Sequence, residues 1–286
     1  MARDPATGEL GVAVQSHWFS VGPLCAWAQA GIGAVATQSV VEPAYGPNAL
    51  ARLADGVNAQ QALGELLAAD PLQHVRQVAV VDARGAIAVH TGRGCIAHAG
   101  HVTGEHFSCQ ANMMAGEGVP QAMADAYGAA EGELQDRLLT ALDAAEAAGG
   151  DVRGRQSAAM VVAAAEGEPW RRTVDLRVED HDAPLDELRR LLDLQRAYDL
   201  AGTADELLAA GRRDEAGELY RRAAQLAPNS DELRFWAGLA LAQAGDLAAG
   251  VAEVRSAIAH NPNWRVLLER LTPELAPAAE AVRAQL

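Results

Sequence analysis

The sequence contains no lysine: all 23 basic residues among its 286 are arginine. That absence excludes a Walker-A phosphate loop, Schiff-base chemistry and pyridoxal phosphate anchoring, each of which needs a primary ε-amine. Arginine stays protonated, so proton transfer falls to histidine, a carboxylate or an α-amine. GC-rich codon usage is the plainer cause, and the chemical consequence holds regardless. Cysteine is scarce as well, with Cys25, Cys95 and Cys109 forming an odd set that has no C-x-x-C pair and hence no disulfide framework. No basic n-region followed by an apolar h-region opens the chain, and no run of about 18 apolar residues occurs. Neither a secretory leader nor a membrane partner is therefore expected, and the default location is the cytoplasm. The formal charge of −15 argues against a phosphate backbone as partner, since such proteins need a basic surface, so no nucleic acid is expected. Half the residues are hydrophobic, which excludes a disordered chain.

What is present begins with Asp4-Pro5-Ala6-Thr7-Gly8, a run of turn formers that reads as a hairpin tip. Gly11 to Val14 follows as an apolar strand that turns polar at Gln15-Ser16-His17. Gly33 to Ala36 repeats the pattern and ends at Thr37-Gln38-Ser39. Two buried strands thus deliver hydroxyls, amides and an imidazole at their exits. Val40 to Pro47, including Tyr45, reads as a loop by its prolines and glycine. Asn58 and Gln61 open a capped helix that stops at Asp70-Pro71. Val75 to Val81 and Ala86 to His90 form a second hairpin, and Phe107 to Met113 a further strand. Val119 to Tyr127 and Leu134 to Ala148 are helices, the second ended by Gly149-Gly150 as a glycine cap. Ala158 to Ala164 and Thr173 to Val178 return to strand, and a helix starts at Pro184.

Five separated segments carry a family resemblance in order: ARDPATGELGVAVQS, GAVATQS, VVDARGAIAVHTG, GGDVRGRQSAA and DLRVEDHDAPLDELRRLL. Over roughly residues 1 to 195 the chain resembles the bacterial "domain of unknown function 1028" family, whose fold resembles the N-terminal-nucleophile hydrolases. The resemblance implies an α+β fold, a four-layer αββα sandwich, for residues 1–193. Periodicity alone is equally satisfied by a single α+β sandwich. In the resembling family a Thr-Phe-Ser-type strand stands ahead of the Ala-Arg-Asp found here at Ala2-Arg3-Asp4. An N-terminal-nucleophile enzyme uses the α-amine of its first residue as base for that residue's hydroxyl or thiol. Met1 has neither, so the nucleophile is expected ahead of it, with Met1 standing where a valine codon was read as an initiator.

From about Leu194 the composition turns alanine- and leucine-rich. Gly211 and Gly245, Ala223 and Ala257, and Pro228 and Pro262 are each separated by 34 residues, the tetratricopeptide period. Residues 194–286 are therefore expected to form an all-α tetratricopeptide-like tail, with Trp264 to Leu286 as its cap. Two such units are fewer than the ~3 that stand alone. The tail is expected to mediate homo-oligomer formation or to hold a protein partner.

The candidate site collects at strand ends and in one loop. Gln110-Ala111-Asn112 ends a strand before a Gly-rich turn, and Asn112 is a candidate oxyanion donor, although turn capping is the commoner role. In Gly149 to Ser157, Arg153 and Arg155 are candidates to grip a substrate carboxylate with Asp151 orienting one of them; a structural salt bridge is the plain alternative. Ser16 and His17 are adjacent on a strand and point apart, so Ser16 is cast as an orienting group and His17 as a wall residue. Gln38, Ser39, Tyr45 and His90 complete the expected substrate wall. The expected catalytic set is Ser16, Asn112 and Asp151. Cys95-x-x-His98-x-x-His101 has zinc-like spacing, but no second pair frames it, so no metal is assigned. Gly31-x-Gly33 and Gly92-x-Gly94 are too short for a dinucleotide fingerprint, and no cofactor is expected. The reading is an amidohydrolase for a small carboxylate-bearing amide or peptide-like substrate; its alternative is a non-catalytic binding or assembly module.

Overall fold

A computed structural model describes residues 1–286. The chain divides into two compact units, Met1–Arg189 and Arg190–Leu286. The first contains ten strands: β1 (Ala2–Arg3), β2 (Leu10–Ser16), β3 (Ala26–Gln29), β4 (Gly33–Ser39), β5 (Arg76–Asp82), β6 (Ile87–Thr91), β7 (Gly100–Gly104), β8 (Phe107–Ala111), β9 (Ser157–Ala163) and β10 (Arg172–Val178). Its helices are α1 (Gly22–Cys25), α2 (Tyr45–Ala54), α3 (Ala59–Ala69), α4 (Val119–Ala129) and α5 (Leu134–Ala147). A six-stranded antiparallel sheet has the order β10-β9-β2-β1-β8-β7, and a four-stranded one the order β3-β4-β5-β6.

Side-chain alternation along β2 decides which face meets what. Leu10 and Val12 pack with Val161 of β9 and with Ala28, Ala34, Ala36, Ala79 and Val81 of the smaller sheet, so the two sheets meet through small apolar side chains. Burying each Val or Leu there contributes about 1.5–3 kcal/mol. Gly11 faces the opposite way, where a Cβ would come within 2.8 Å of Leu138 on α5. The outer face of the smaller sheet packs Val35, Val78 and Val80 against Leu50, Leu53 and Leu63 of α2 and α3. Strands β5 and β9 are buried along their whole length, which explains why neither alternates in sequence.

Several expected elements appear with small shifts. Asn58 caps α3 by accepting from Gln61 N at 2.9 Å. Gly8 closes the first turn at φ 79°, and Gly149 ends α5 at φ 114°. Other readings are corrected. Tyr45 opens helix α2 instead of lying in a loop, because Pro47 falls in the first turn, where a missing N–H costs nothing. Strand β3, only four residues long, and strand β7, bracketed by glycines, escape a pattern search that needs longer runs. The strand expected over 107–113 ends at Ala111.

Helix α6 (Pro184–Ala209) carries the chain across the boundary between the units. The second unit continues with α7 (Arg213–Leu226), α8 (Asp231–Ala244), α9 (Leu247–His260), α10 (Asn263–Arg270) and α11 (Ala279–Arg283). Ser230 and Asp246 cap α8 and α9 by accepting from Leu233 N at 3.2 Å and Ala249 N at 3.0 Å. Helices α8 and α9 touch where Gly238 meets Gly250: a Cβ on Gly238 would lie 2.7 Å from Gly250 O. Trp264 stacks on Phe235 at 4.8 Å and donates its indole N–H to Asp231 at 2.7 Å, fixing the last helices to this pair. No helix is long and apolar enough to cross a membrane.

Candidate functional site

A cavity of about 420 Å³ opens between the ends of β2 and β8. Six of the expected residues line it: Ser16, Gln38, Ser39, Asn112, Asp151 and Arg153. The sheet order explains the convergence. Ser16 ends β2, Asn112 follows β8, Gln38 and Ser39 end β4 of the facing sheet, and the loop after α5 brings Asp151 and Arg153 to the rim.

That loop is pinned by backbone pairing, since Ala115 N–H donates to Gly150 O at 2.9 Å and Val152 N–H to Met113 O at 2.9 Å. Arg153 grips Asp151 in a two-point fork, Nε to Oδ1 at 3.0 Å and an Nη to Oδ2 at 2.7 Å. Burial pushes the Asp151 carboxyl up, but the Arg153 hydrogen bonds and charge, with the His17 N–H, outweigh it and hold the carboxyl below its ordinary value. Asp151 is thus a poor proton acceptor and a good orienting group. Arg155 does not line the cavity; it pairs with Glu146, which also accepts from Gln15. The expected pair of gripping arginines is therefore reduced at the wall to Arg153.

The remaining expected residues lie elsewhere. His17 offers the cavity no ring nitrogen: its Nδ1 lies 3.2 Å from Arg155 O, and its backbone N–H donates to Asp151 at 3.4 Å. Tyr45 is buried against the outer face of the smaller sheet, donating to Asp70 Oδ2 at 3.1 Å, and burial with that bond raises its phenol pKa. His90 Nε2 lies 2.8 Å from Gln73 O. Cys95, His98 and His101 do not converge: Cys95 donates to Arg76 O at 3.3 Å, His98 faces Glu117 at 3.5 Å, and His101 Nδ1 meets Thr91 at 2.9 Å.

Two features of the site were missed in the sequence. Gln77, fully buried on β5, accepts at Oε1 from Gln38 at 2.9 Å and from Asn112 at 3.1 Å, while its Nε2 faces Thr91 Oγ1 and the carbonyls of Gly100 and Ala111. Its position just ahead of the apolar run Val78 to Val81 hides it; an amide at the start of a continuous buried strand is the signal that was available. The second is the α-amine of Met1, buried in the cavity wall, donating to Ser108 O at 3.0 Å and lowered in pKa by burial. Ser39 adds an unpaired buried hydroxyl at a backbone φ of 70°, a conformation rarely adopted by serine. Burial also pushes the Cys25 thiol to about 12 and raises Cys109, so neither is an activated nucleophile as it stands.

Two stacked antiparallel sheets with outer helices and a cavity at their strand ends define the first unit as a mixed α+β domain. The chain belongs to the family described as "Family of unknown function (DUF1028)", which matches residues 1–188. It is similar to the crystal structure of protein SPO2555 from Silicibacter pomeroyi, described under the same family, at 32% identity and a TM-score of 0.61; the match covers 67% of this chain and 82% of that one. No curated protein matches.

Proposed function

We propose that the first unit is a four-layer αββα domain of N-terminal-nucleophile-hydrolase type whose cavity takes a small carboxylate-bearing amide or peptide-like substrate and hydrolyses its C–N bond. The observation that carries the reading is the convergence of Ser16, Gln38, Ser39, Asn112 and the Asp151–Arg153 fork on one cavity. Asn112 uses one amide N–H on Gln77 and keeps the other for a developing oxyanion. The Arg153 guanidinium, steered by Asp151, receives the substrate carboxylate at the rim. Ser16 and Ser39 orient the amide. Met1 brings no hydroxyl or thiol, so the reading requires a mature first residue that is Thr, Ser or Cys and supplies both nucleophile and base. The test pairs intact-mass measurement of protein from its native source with an amine-release assay on N-acyl amino acids. A first residue of Thr, Ser or Cys with turnover supports the hydrolase; a first residue of Met or Ala without turnover sinks it.

A second reading, favoured by the 34-residue spacing and the glycine-to-glycine contact of α8 and α9, makes the second unit a tetratricopeptide-like module for self-association or a protein partner. Light scattering of the full chain and of Trp236→Asp, a side chain 37% exposed on α8, tests it: a mass that is monomeric for both removes self-association.

A further inference from the structure

The larger sheet ends at β10, and of the four edge strands in the two sheets β10 is the longest, with seven residues against five in β6 and β7 and four in β3. An edge strand presents backbone groups that another strand can meet. The ladder with β9 fixes which groups these are. Val162 O accepts from Thr173 Oγ1 at 3.2 Å, so Val162 turns its backbone toward β10, and by alternation so do Met160 and Ala158. The β2 side agrees: Asp4 N–H donates to Glu9 O at 2.8 Å, so Glu9 and Gly11 face β1, while Val12 and Val14 face their β9 partners Val161 and Ala159. Val174, Leu176 and Val178 therefore face back to β9, and the N–H and C=O of Asp175 and Arg177 point out from the sheet. The open stretch has two ends. A register shift between Arg172 and Val174 marks one, and Ser20 N–H, donating to Glu179 O at 3.0 Å, closes the other.

The side chains of this stretch are charged on one face and apolar on the other. Asp175 pairs with Arg177 at 3.2 Å and with Arg172, and all three remain partly exposed. The Arg177 stem lies against α1, where a Cβ on Gly22 would come within 3.2 Å of its Cγ and Cδ, so its path along the edge is set. Leu176, on the opposite face, is half-buried. Charge on an edge ordinarily turns a foreign strand away. Here the order of signs is its own complement.

A two-fold ladder between copies of one strand sets outward-facing residues against outward-facing residues, so it centres on a single residue. Centring on Asp175 opposes two carboxylates, and centring on Arg177 opposes two guanidinium groups, both disfavoured by like charge. Centring on Val174 reaches into the register shift at Thr173, and centring on Val178 needs the Glu179 carbonyl that Ser20 occupies. Centring on Leu176 sets Asp175 opposite Arg177 of the second copy, twice. We infer that two copies of this chain join edge to edge through β10, antiparallel and centred on Leu176, into one continuous sheet. Asp175 and Arg177 of each copy exchange N–H to O bonds with Arg177 and Asp175 of the other, and the four side chains alternate in sign on one face. On the other face Leu176 meets Leu176. The interface uses no residue of the second unit and none of the cavity wall except through the shared sheet.

A short ladder is a small interface, so sedimentation of the full chain should show the dimer at high micromolar concentration. Asp175→Arg and Arg177→Asp, each of which opposes like charges, should weaken it about tenfold or more, and the double variant D175R/R177D, which restores opposite charges in exchanged places, should recover it. Leu176→Cys puts two thiols at the closely spaced position that makes no backbone bonds, so oxidised glutathione should link the copies covalently. Wild type and Thr173→Cys should not link. A monomeric wild type at that concentration, a dimer that both single reversals leave intact, or a folded double variant that stays monomeric overturns the inference. If circular dichroism finds the reversals unfolded, the Leu176→Cys link decides alone, and its absence overturns the inference. Trp236→Asp should leave the link unchanged, so failure of this interface and failure of association through the second unit are distinguishable.

Discussion

Asn112 donates its side-chain amide to Gln77 Oε1 at 3.1 Å, and this bond joins the end of the larger sheet to the middle of the smaller one. Gln38 donates to the same oxygen at 2.9 Å, so one buried amide positions two cavity residues from different strands.

Replacing that amide removes the shared acceptor. Gln77→Leu should destabilise the first unit by roughly 1–3 kcal/mol, because the half-buried donors of Gln38 and Asn112 lose their partner. A urea midpoint shift at unchanged slope checks it. A loss no larger than that of Asn112→Ala would mean that the amide is not a hub.

Acid sensitivity follows from Asp151. Burial raises its carboxyl pKa, the Arg153 bonds and charge lower it further, and the net shift is downward. A depressed carboxyl contributes stability that is complete above the unfolded value of 3.8 and is lost as pH falls through the folded value. Wild type should therefore exceed Asp151→Asn in stability near pH 6, and the gap should close as the pH falls below about 3. A gap that stays constant between those limits would remove the linkage.

The two arginines of the loop should separate kinetically. Arg153→Ala should raise KM for an acidic amide at least tenfold more than for its neutral analogue, as loss of ground-state binding requires. Arg155→Ala, whose side chain pairs with Glu146 away from the cavity, should change both by less than about twofold. Equal discrimination by the two variants would return Arg155 to the site.

The helix contact in the second unit is tight enough to test with one methyl group. Gly238→Ala should cost about 1–3 kcal/mol, since its Cβ would press on Gly250 O at 2.7 Å and on Val254 at 2.8 Å. Gly202→Ala on α6, with open space around it, should be neutral or mildly stabilising in thermal melts.

Sequence alone determined the elements whose signals are local. The Asp4 to Gly8 turn, the Asn58 cap, the glycine end of α5 and the hairpin of β5 and β6 depend on residues a few positions apart, where backbone preference and hydrogen-bond reach act directly. The polar ends of β2 and β4 were readable for the same reason, as was the lack of any lysine, which narrowed the available chemistry. Tertiary structure decided what those ends meet. Tyr45 and His90 look like wall residues in sequence but turn to Asp70 and to Gln73 O, while Gln77, just ahead of an apolar run, becomes the anchor of the site. Sheet order and register set these meetings: Gln77 lies 39 positions from Gln38 and 35 from Asn112, and no local preference encodes which edges are brought face to face.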